Sequence, residues 1–134
     1  MVTPPPRHVH TVLLVEDDSG TREAMHELLV AHQCTVADAR DGPHALTLVR
    51  CEPRPCIIVL DLMMSAMSGD DFRRAQLADP GIRDIPVILV SGVHDLDERA
   101  RALGVSAWLR KPLDIDRLVA AIAQHCVAAA AAVA

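Results

Sequence analysis

Five short, β-rich apolar runs alternating with five helical-period segments predict an α/β protein built on a doubly wound, five-stranded parallel sheet. Three observations carry this. The two element types alternate strictly along the 134 residues. Two of the runs, CIIVL at 56–60 and PVILV at 86–90, are apolar without interruption, as strands buried on both faces are. The intervening segments are long enough for right-handed helical crossovers, which place helices on both sides of the sheet.

Residues 1–10 contain Pro4, Pro5, Pro6, His8 and His10 and show no apolar periodicity. They are expected to form a disordered tail. His8 and His10 could capture a stray metal ion, but tail histidines are expected to be solvated. Thr11–Val15 is the first strand. Ser19 offers an N-cap to a helix carrying Ala24, Leu28 and Leu29 as far as about His32. Thr35–Ala39 is a weaker strand, and Gly42 opens a second helix through Ala45, Leu46 and Val49. Pro53 and Pro55 break the chain before the third strand at 56–60. Ser68 and Gly69 begin a third helix with Phe72, Ala75 and Leu77, ending near Pro80 and Gly81. The fourth strand is at 86–90. A polar helix over 95–103 is stopped by Gly104, and a short strand follows at 106–109. Asp114 caps the last helix, which runs through Leu118, Ala121 and Ile122. The alanines beyond can extend it by propensity. One domain is expected over 11–127, with an Ala-rich tail at 128–134.

The chain holds 13 Lys+Arg against 18 Asp+Glu, a formal net charge of −5. This balance disfavours binding to nucleic acid or an anionic membrane by bulk charge. No apolar run reaches the ~20 residues of a membrane span. The opening Met-Val-Thr-Pro-Pro-Pro lacks the basic and apolar regions of a secretory signal. A cytoplasmic location is therefore expected. Cys34, Cys51, Cys56 and Cys126 form no Cys-x-x-Cys and match no zinc-finger spacing. They are expected to be reduced and mostly buried; the competing reading is a disulfide between Cys51 and Cys56.

In a sheet of this kind ligands bind beyond the carboxyl ends of the strands. Glu16, Asp17 and Asp18 follow the first strand, Asp61 the third and Ser91 the fourth. Lys111 and Pro112 follow the fifth. Neither Gly-x-Gly-x-x-Gly nor a Walker A sequence is present, and the first turn is acidic where a phosphate cradle would be glycine-rich. Carboxylates gathered in one pocket raise each other's pKa unless a cation sits among them, and Mg2+ prefers such oxygen donors. A hydroxyl and an ammonium facing that ion can hold the remaining oxygens of a phosphoryl group. Asp61, central in the set, would be the nucleophile. Taken singly, each residue has an ordinary alternative as a helix cap, turn hydroxyl or solvated loop charge. The coincidence at one edge favours phosphoryl or metal chemistry. Lys111 is also the only lysine among the 13 basic residues.

These segments resemble the receiver domain of bacterial two-component response regulators. The matching stretches are VLLVEDD at 12–18, ARDGPHAL at 39–46, IIVLDLMMSAMSGDDF at 57–72, PVILVSG at 86–92 and AWLRKP at 107–112. The resemblance spans roughly Thr11 to Cys126. It implies a flavodoxin-like sheet of order 2-1-3-4-5 and a phosphoacceptor role for Asp61. It further implies Mg2+ bound directly by Asp17, through water by Glu16, and by Asp61 and the Met63 carbonyl. Ser91 corresponds to the switch hydroxyl, Lys111 to the lysine that pairs with the phosphoryl group, and Pro112 to a proline that often follows a cis bond. Asp18 lies outside the acidic pair and is expected to be a cap or a supporting group. The donor implied is a sensor histidine kinase or a histidine phosphotransfer protein, so none of the seven histidines of this chain is needed as donor. A downstream output protein or domain would read the switch, and the face formed by the fourth helix, fifth strand and fifth helix would carry output and any homodimer.

Four departures from the family pattern stand out. Ser65 replaces the usual proline four residues after the acceptor, which implies a looser loop. The aromatic switch position is Trp108, expected to couple to Ser91. Met63 and Val93, two residues after Asp61 and Ser91, are apolar where the family helps place hydrolytic water, which implies a long-lived phosphorylated state. No output module follows the last helix, so a single-domain receiver and the receiver portion of a longer regulator both stay open. The chain is expected to be a signalling switch acting on its own aspartate rather than an enzyme on external substrates. The alternatives are a phosphorylation-independent docking module and, more remotely, a Mg2+-dependent phosphatase.

Overall fold

The computed structural model describes residues 9–133, with side chains described through Cys126. The expected tail residues up to His8, and the side chains of the Ala-rich end, lie outside the described residues. The elements are β1 (Thr11–Val15), α1 (Ser19–Ala31), β2 (Thr35–Ala39), α2 (Gly42–Val49) and β3 (Ile57–Asp61). They continue as α3 (Gly69–Leu77), β4 (Val87–Ser91), α4 (Leu96–Leu103), β5 (Ala107–Arg110) and α5 (Ile115–Val133). The sheet order is β2-β1-β3-β4-β5, and every neighbouring pair is parallel.

The strand period of two sorts the core onto two faces. Val12, Leu14, Ile57, Val59, Ile88 and Val90 pack with Met25 and Leu29 of α1 and Leu118 and Ile122 of α5. Leu13, Val15, Ile58, Leu60, Val87 and Leu89 pack with Ala45 and Val49 of α2, Phe72 of α3, and Leu96 and Ala100 of α4. β3 and β4 are buried along their whole length, which explains their uninterrupted apolar sequences.

Three strands begin one residue later than their composition suggests. Ile58 N–H donates to the Pro86 carbonyl at 2.9 Å, and Pro86 itself has no N–H to add to the ladder. At the other end, pairing of Asp61 with Val90 and of Ser91 with Arg110 makes them the last residues of β3 and β4 rather than the first residues of loops. The cap of α1 also differs. Asp18, not Ser19, is the N-cap and accepts from Thr21 N–H at 2.8 Å, while Ser19 is the first helical residue. Ser68 caps α3 as expected, accepting from Asp71 N–H at 3.1 Å. Gly104 ends α4 in the left-handed region at φ 65°, where a side chain would be strained.

The expectation of four reduced cysteines is corrected, and so is the Cys51–Cys56 alternative: a disulfide joins Cys56 to Cys126. Cys56 immediately precedes β3, and Cys126 lies on α5, which packs over the same sheet face. A partner 70 residues away is invisible to local spacing. Cys34 is buried and Cys51 exposed, both free.

Candidate functional site

Strand register brings the acidic residues together. Val15 of β1 pairs with Leu60 of β3, so Glu16, the next residue, falls level with Asp61. Glu16 is buried, with 2% exposure. Its main-chain N–H donates to the Ala39 carbonyl at 3.1 Å, and its own carbonyl accepts from Arg22 Nη1 at 2.8 Å. Asp17 Oδ2 accepts from both Ser65 N–H (3.0 Å) and Ser65 Oγ (3.2 Å). The loop after β3 is thus tied at Ser65, contrary to the looseness expected from its missing proline. One carboxylate oxygen from each of Glu16, Asp17 and Asp61 lies within 4.8 Å of the other two.

Lys111 follows β5, and its main-chain N–H donates to the Ser91 carbonyl at 3.0 Å. Its Nζ donates to Glu16 Oε1 at 3.1 Å and lies 3.8 Å from Asp61 Oδ2. One ammonium therefore faces two buried carboxylates. Burial pushes the Asp61 carboxyl up to about 7, helped by its hydrogen bond to Glu16 and the Glu16 charge. Lys111 and the Met63 N–H, which donates to Asp61 Oδ1 at 3.2 Å, act in the opposite direction. A site with more carboxylates than cations suits a hard divalent ion, and clustered carboxylate oxygens are the donors Mg2+ accepts while keeping several waters. The residues present fit such an ion.

Ser91 is almost fully buried, and its Oγ accepts from Val93 N–H at 3.3 Å. The peptide bond between Lys111 and Pro112 is cis. Met63, two residues after Asp61, is 61% exposed. Gly69 allows the loop to close: a Cβ there would come within 2.7 Å of the Asp61 carbonyl. Asp18 is not part of the acidic cluster and serves as the α1 cap; the Thr21 hydroxyl and N–H hold its carboxyl below the usual range.

Trp108 stands apart from this group. It pairs in register with Leu89, two residues before Ser91. Its indole N–H donates to Asp97 on α4. Sequence reasoning missed this contact and the Ser65–Asp17 tie, because both cross between elements without a local signal.

A family model described as the response regulator receiver domain matches residues 12–123. Response regulator PleD of Caulobacter vibrioides is 35% identical over 105 residues, 77% of this chain and 23% of PleD. Response regulator MprA of Mycolicibacterium vanbaalenii is 33% identical over 111 residues, 81% of this chain and 47% of MprA. This chain therefore spans less than half the length of those relatives. The polar-differentiation response regulator DivK of Brucella anthropi is 30% identical over 117 residues, 86% of this chain and 94% of DivK. Among solved structures, a response regulator receiver protein from Pseudomonas putida superposes with a TM-score of 0.79 at 28% identity, covering 89% of this chain and 99% of that one. The chemotaxis protein CheY4 of Vibrio cholerae superposes with a TM-score of 0.78 at 23% identity, covering 88% and 99%.

Proposed function

Because this chain belongs to the response regulator receiver family, we propose that it is a phosphorylation switch whose acceptor is Asp61. What supports this reading is one geometric fact: a single ammonium, Lys111 Nζ, reaches both Glu16 and Asp61 beside a third carboxylate, Asp17. An ionised Asp61 oxygen attacks phosphorus in line with the leaving group. A new O–P bond forms as the bond to the donor breaks, and a donor phosphohistidine already protonated on its other ring nitrogen leaves as neutral imidazole. A Mg2+ ion held by Glu16, Asp17, Asp61 and the Met63 carbonyl would supply positive charge against the carboxylates and the incoming oxygens. Lys111 is placed to exchange part of its pairing with Asp61 for a phosphoryl oxygen. Ser91, at the end of β4, supplies a hydroxyl donor to another, and Pro112 shapes the turn that carries Lys111.

The phosphodonor in this reading is a sensor histidine kinase or a histidine phosphotransfer protein. The reader is a downstream output protein or domain engaging α4, β5 and α5, a face that would also serve a homodimer. Trp108, on β5, would report the change begun at Ser91. The chain acts on its own aspartate rather than turning over an external substrate, and contacts neither nucleic acid nor membrane itself. Among the described residues no helix is long and apolar enough to cross a membrane. The setting we propose for the reaction is the cytoplasm, beside its donor.

Incubation with acetyl phosphate and Mg2+, followed by intact mass, tests the reading. One phosphoryl group is expected on the wild-type chain and none on Asp61→Asn. Absence of uptake by a folded wild-type chain, from both acetyl phosphate and a phosphorylated histidine donor, would favour a phosphorylation-independent docking module.

A further inference from the structure

Parallel strands place a second group of donors at the end of the sheet opposite the acidic rim. His10 precedes β1, Cys56 precedes β3, and Cys126 lies on α5. One imidazole nitrogen and the two sulfurs lie within 4.8 Å of one another. Cys126 is fully buried, whereas His10 and Cys56 are half-buried. The main-chain N–H of Thr11 donates to Cys56 Sγ at 3.3 Å. The phosphoryl site uses none of these groups.

We propose that His10, Cys56 and Cys126 form a redox-gated site for a borderline-soft divalent cation of the zinc class. Two thiolates and an imidazole are the donors such a cation selects over Mg2+ or Ca2+. With metal–ligand bonds of about 2.0–2.3 Å, tetrahedral donors stand roughly 3–4 Å apart. The three donor atoms already lie within 4.8 Å of one another, so opening the disulfide is the main adjustment the proposed site requires. A tetrahedral ion held by these three donors would take its fourth ligand from water.

The disulfide and the metal exclude each other. Thiol–disulfide exchange with a dithiol reductant cleaves the Cys56–Cys126 bond. The reductant gives up two electrons and two protons and becomes a disulfide, and the chain gains two thiols. A divalent cation then displaces one proton from each thiol as two metal–sulfur bonds form, and His10 binds as neutral imidazole. Either state ties α5 to the entry of β3, one covalently and the other by coordination.

The full chain, reduced with a phosphine and freed of it, is titrated with Cd2+ and then Zn2+ in excess Mg2+, which occupies hard oxygen donors. One equivalent of Cd2+ is expected, with the ultraviolet charge-transfer band that only cadmium thiolates give. The oxidised chain should show no band, and Cys56→Ser and Cys126→Ser should abolish it. His10→Ala should weaken Zn2+ binding at least tenfold, the loss that even an outer-sphere partner of a metal ligand brings. Cys34→Ser and Cys51→Ser should leave the band intact. Cys126 is buried, so Cys56→Ser carries the thiol test if Cys126→Ser fails to fold, with circular dichroism reporting folding. A reduced wild-type chain without the band, a band that survives Cys56→Ser, or unchanged affinity in His10→Ala overturns the proposal. None of these outcomes depends on phosphorylation of Asp61.

Discussion

The indole N–H of Trp108 donates to Asp97 Oδ1 at 2.8 Å, fastening β5 to the first turn of α4. The Arg101 guanidinium lies 5.6 Å from the centre of the same ring. Movement of the ring toward Ser91 must give up both partners. Each is worth about 0.5–1.5 kcal/mol at a partly exposed site, enough together to bias a two-state equilibrium by about tenfold. Asp97→Ala should therefore release the ring. As the only tryptophan, Trp108 isolates the effect. The emission spectrum of free Asp97→Ala is expected to move toward that of the wild type bound to Mg2+ and a phosphoryl mimic. Coincident spectra for the two free proteins would show that Asp97 does not restrain the ring.

Asp61 predicts a pH dependence with a definite sign. Its folded-state pKa is raised from 3.8 to about 7, so the folded chain holds that proton more tightly than the unfolded chain. The resulting stabilisation is fully present below the unfolded value and is lost as pH rises through about 7. The metal-free chain should thus lose stability across this interval, while added Mg2+ should raise the melting temperature more at about pH 8 than at about pH 5. Asp61→Asn keeps the shape and removes the charge. It should flatten the dependence and stabilise the metal-free chain near pH 8 by about 1–3 kcal/mol, while abolishing phosphoryl uptake. Thermal melts at the two pH values, with and without Mg2+, check each part.

Behind α3 lies a buried polar network with a purely structural role. Arg73 Nε and Nη2 donate to the Leu103 and Gly104 carbonyls, and Nη1 to Gln76 Oε1. Gln76 Nε2 in turn donates to the Ile82 and Ile85 carbonyls. Gln76→Ala leaves those carbonyls and one guanidinium N–H without this partner, at a cost of about 2–4 kcal/mol. The measurement is the urea midpoint; a change below about 0.5 kcal/mol would mean that water replaces the amide.

The sheet and its two packed faces were legible because burial on both sides of β3 and β4 demands uninterrupted apolar runs such as IIVL and VILV. The acidic rim was legible for a related reason: parallel strands all end on one side, so whatever follows each strand converges. Contacts between distant elements were not. Cys56 meets Cys126 across 70 residues, and Ser65 meets Asp17 across 48; neither carries a periodic or local mark. Gln76 and Arg73 sit on a helix whose polar sequence suggests solvent, yet Gln76 is wholly buried. Only the arrival of the 82–85 turn and the α4 C-terminus supplies their partners. Asp61 and Ser91 were placed one residue outside their strands because ladder pairing, not composition, sets where a strand ends.

Met63 and Val93 make the last prediction. Met63 is exposed two residues after Asp61, and Val93 packs at the margin of the core after β4. Hydrolysis of an acyl phosphate on Asp61 needs a water oriented in line with the Asp61 oxygen. A thioether and an isopropyl group offer that water no strong hydrogen-bond partner. Neither carboxylates nor amides stand at these two positions, so the phosphorylated state should persist for minutes or longer. Supplying a polar group should shorten it: Met63→Gln, alone or with Val93→Glu, is expected to speed dephosphorylation by about tenfold, a modest share of what positioning and general-base effects can reach. Both positions lie outside the proposed phosphoryl grip of Lys111 and Ser91, and the Met63 carbonyl remains in either variant, so uptake should continue. Intact-mass time courses after removal of acetyl phosphate give the lifetimes directly. A wild-type lifetime of seconds, or variants that decay no faster, would show that water is placed by other groups.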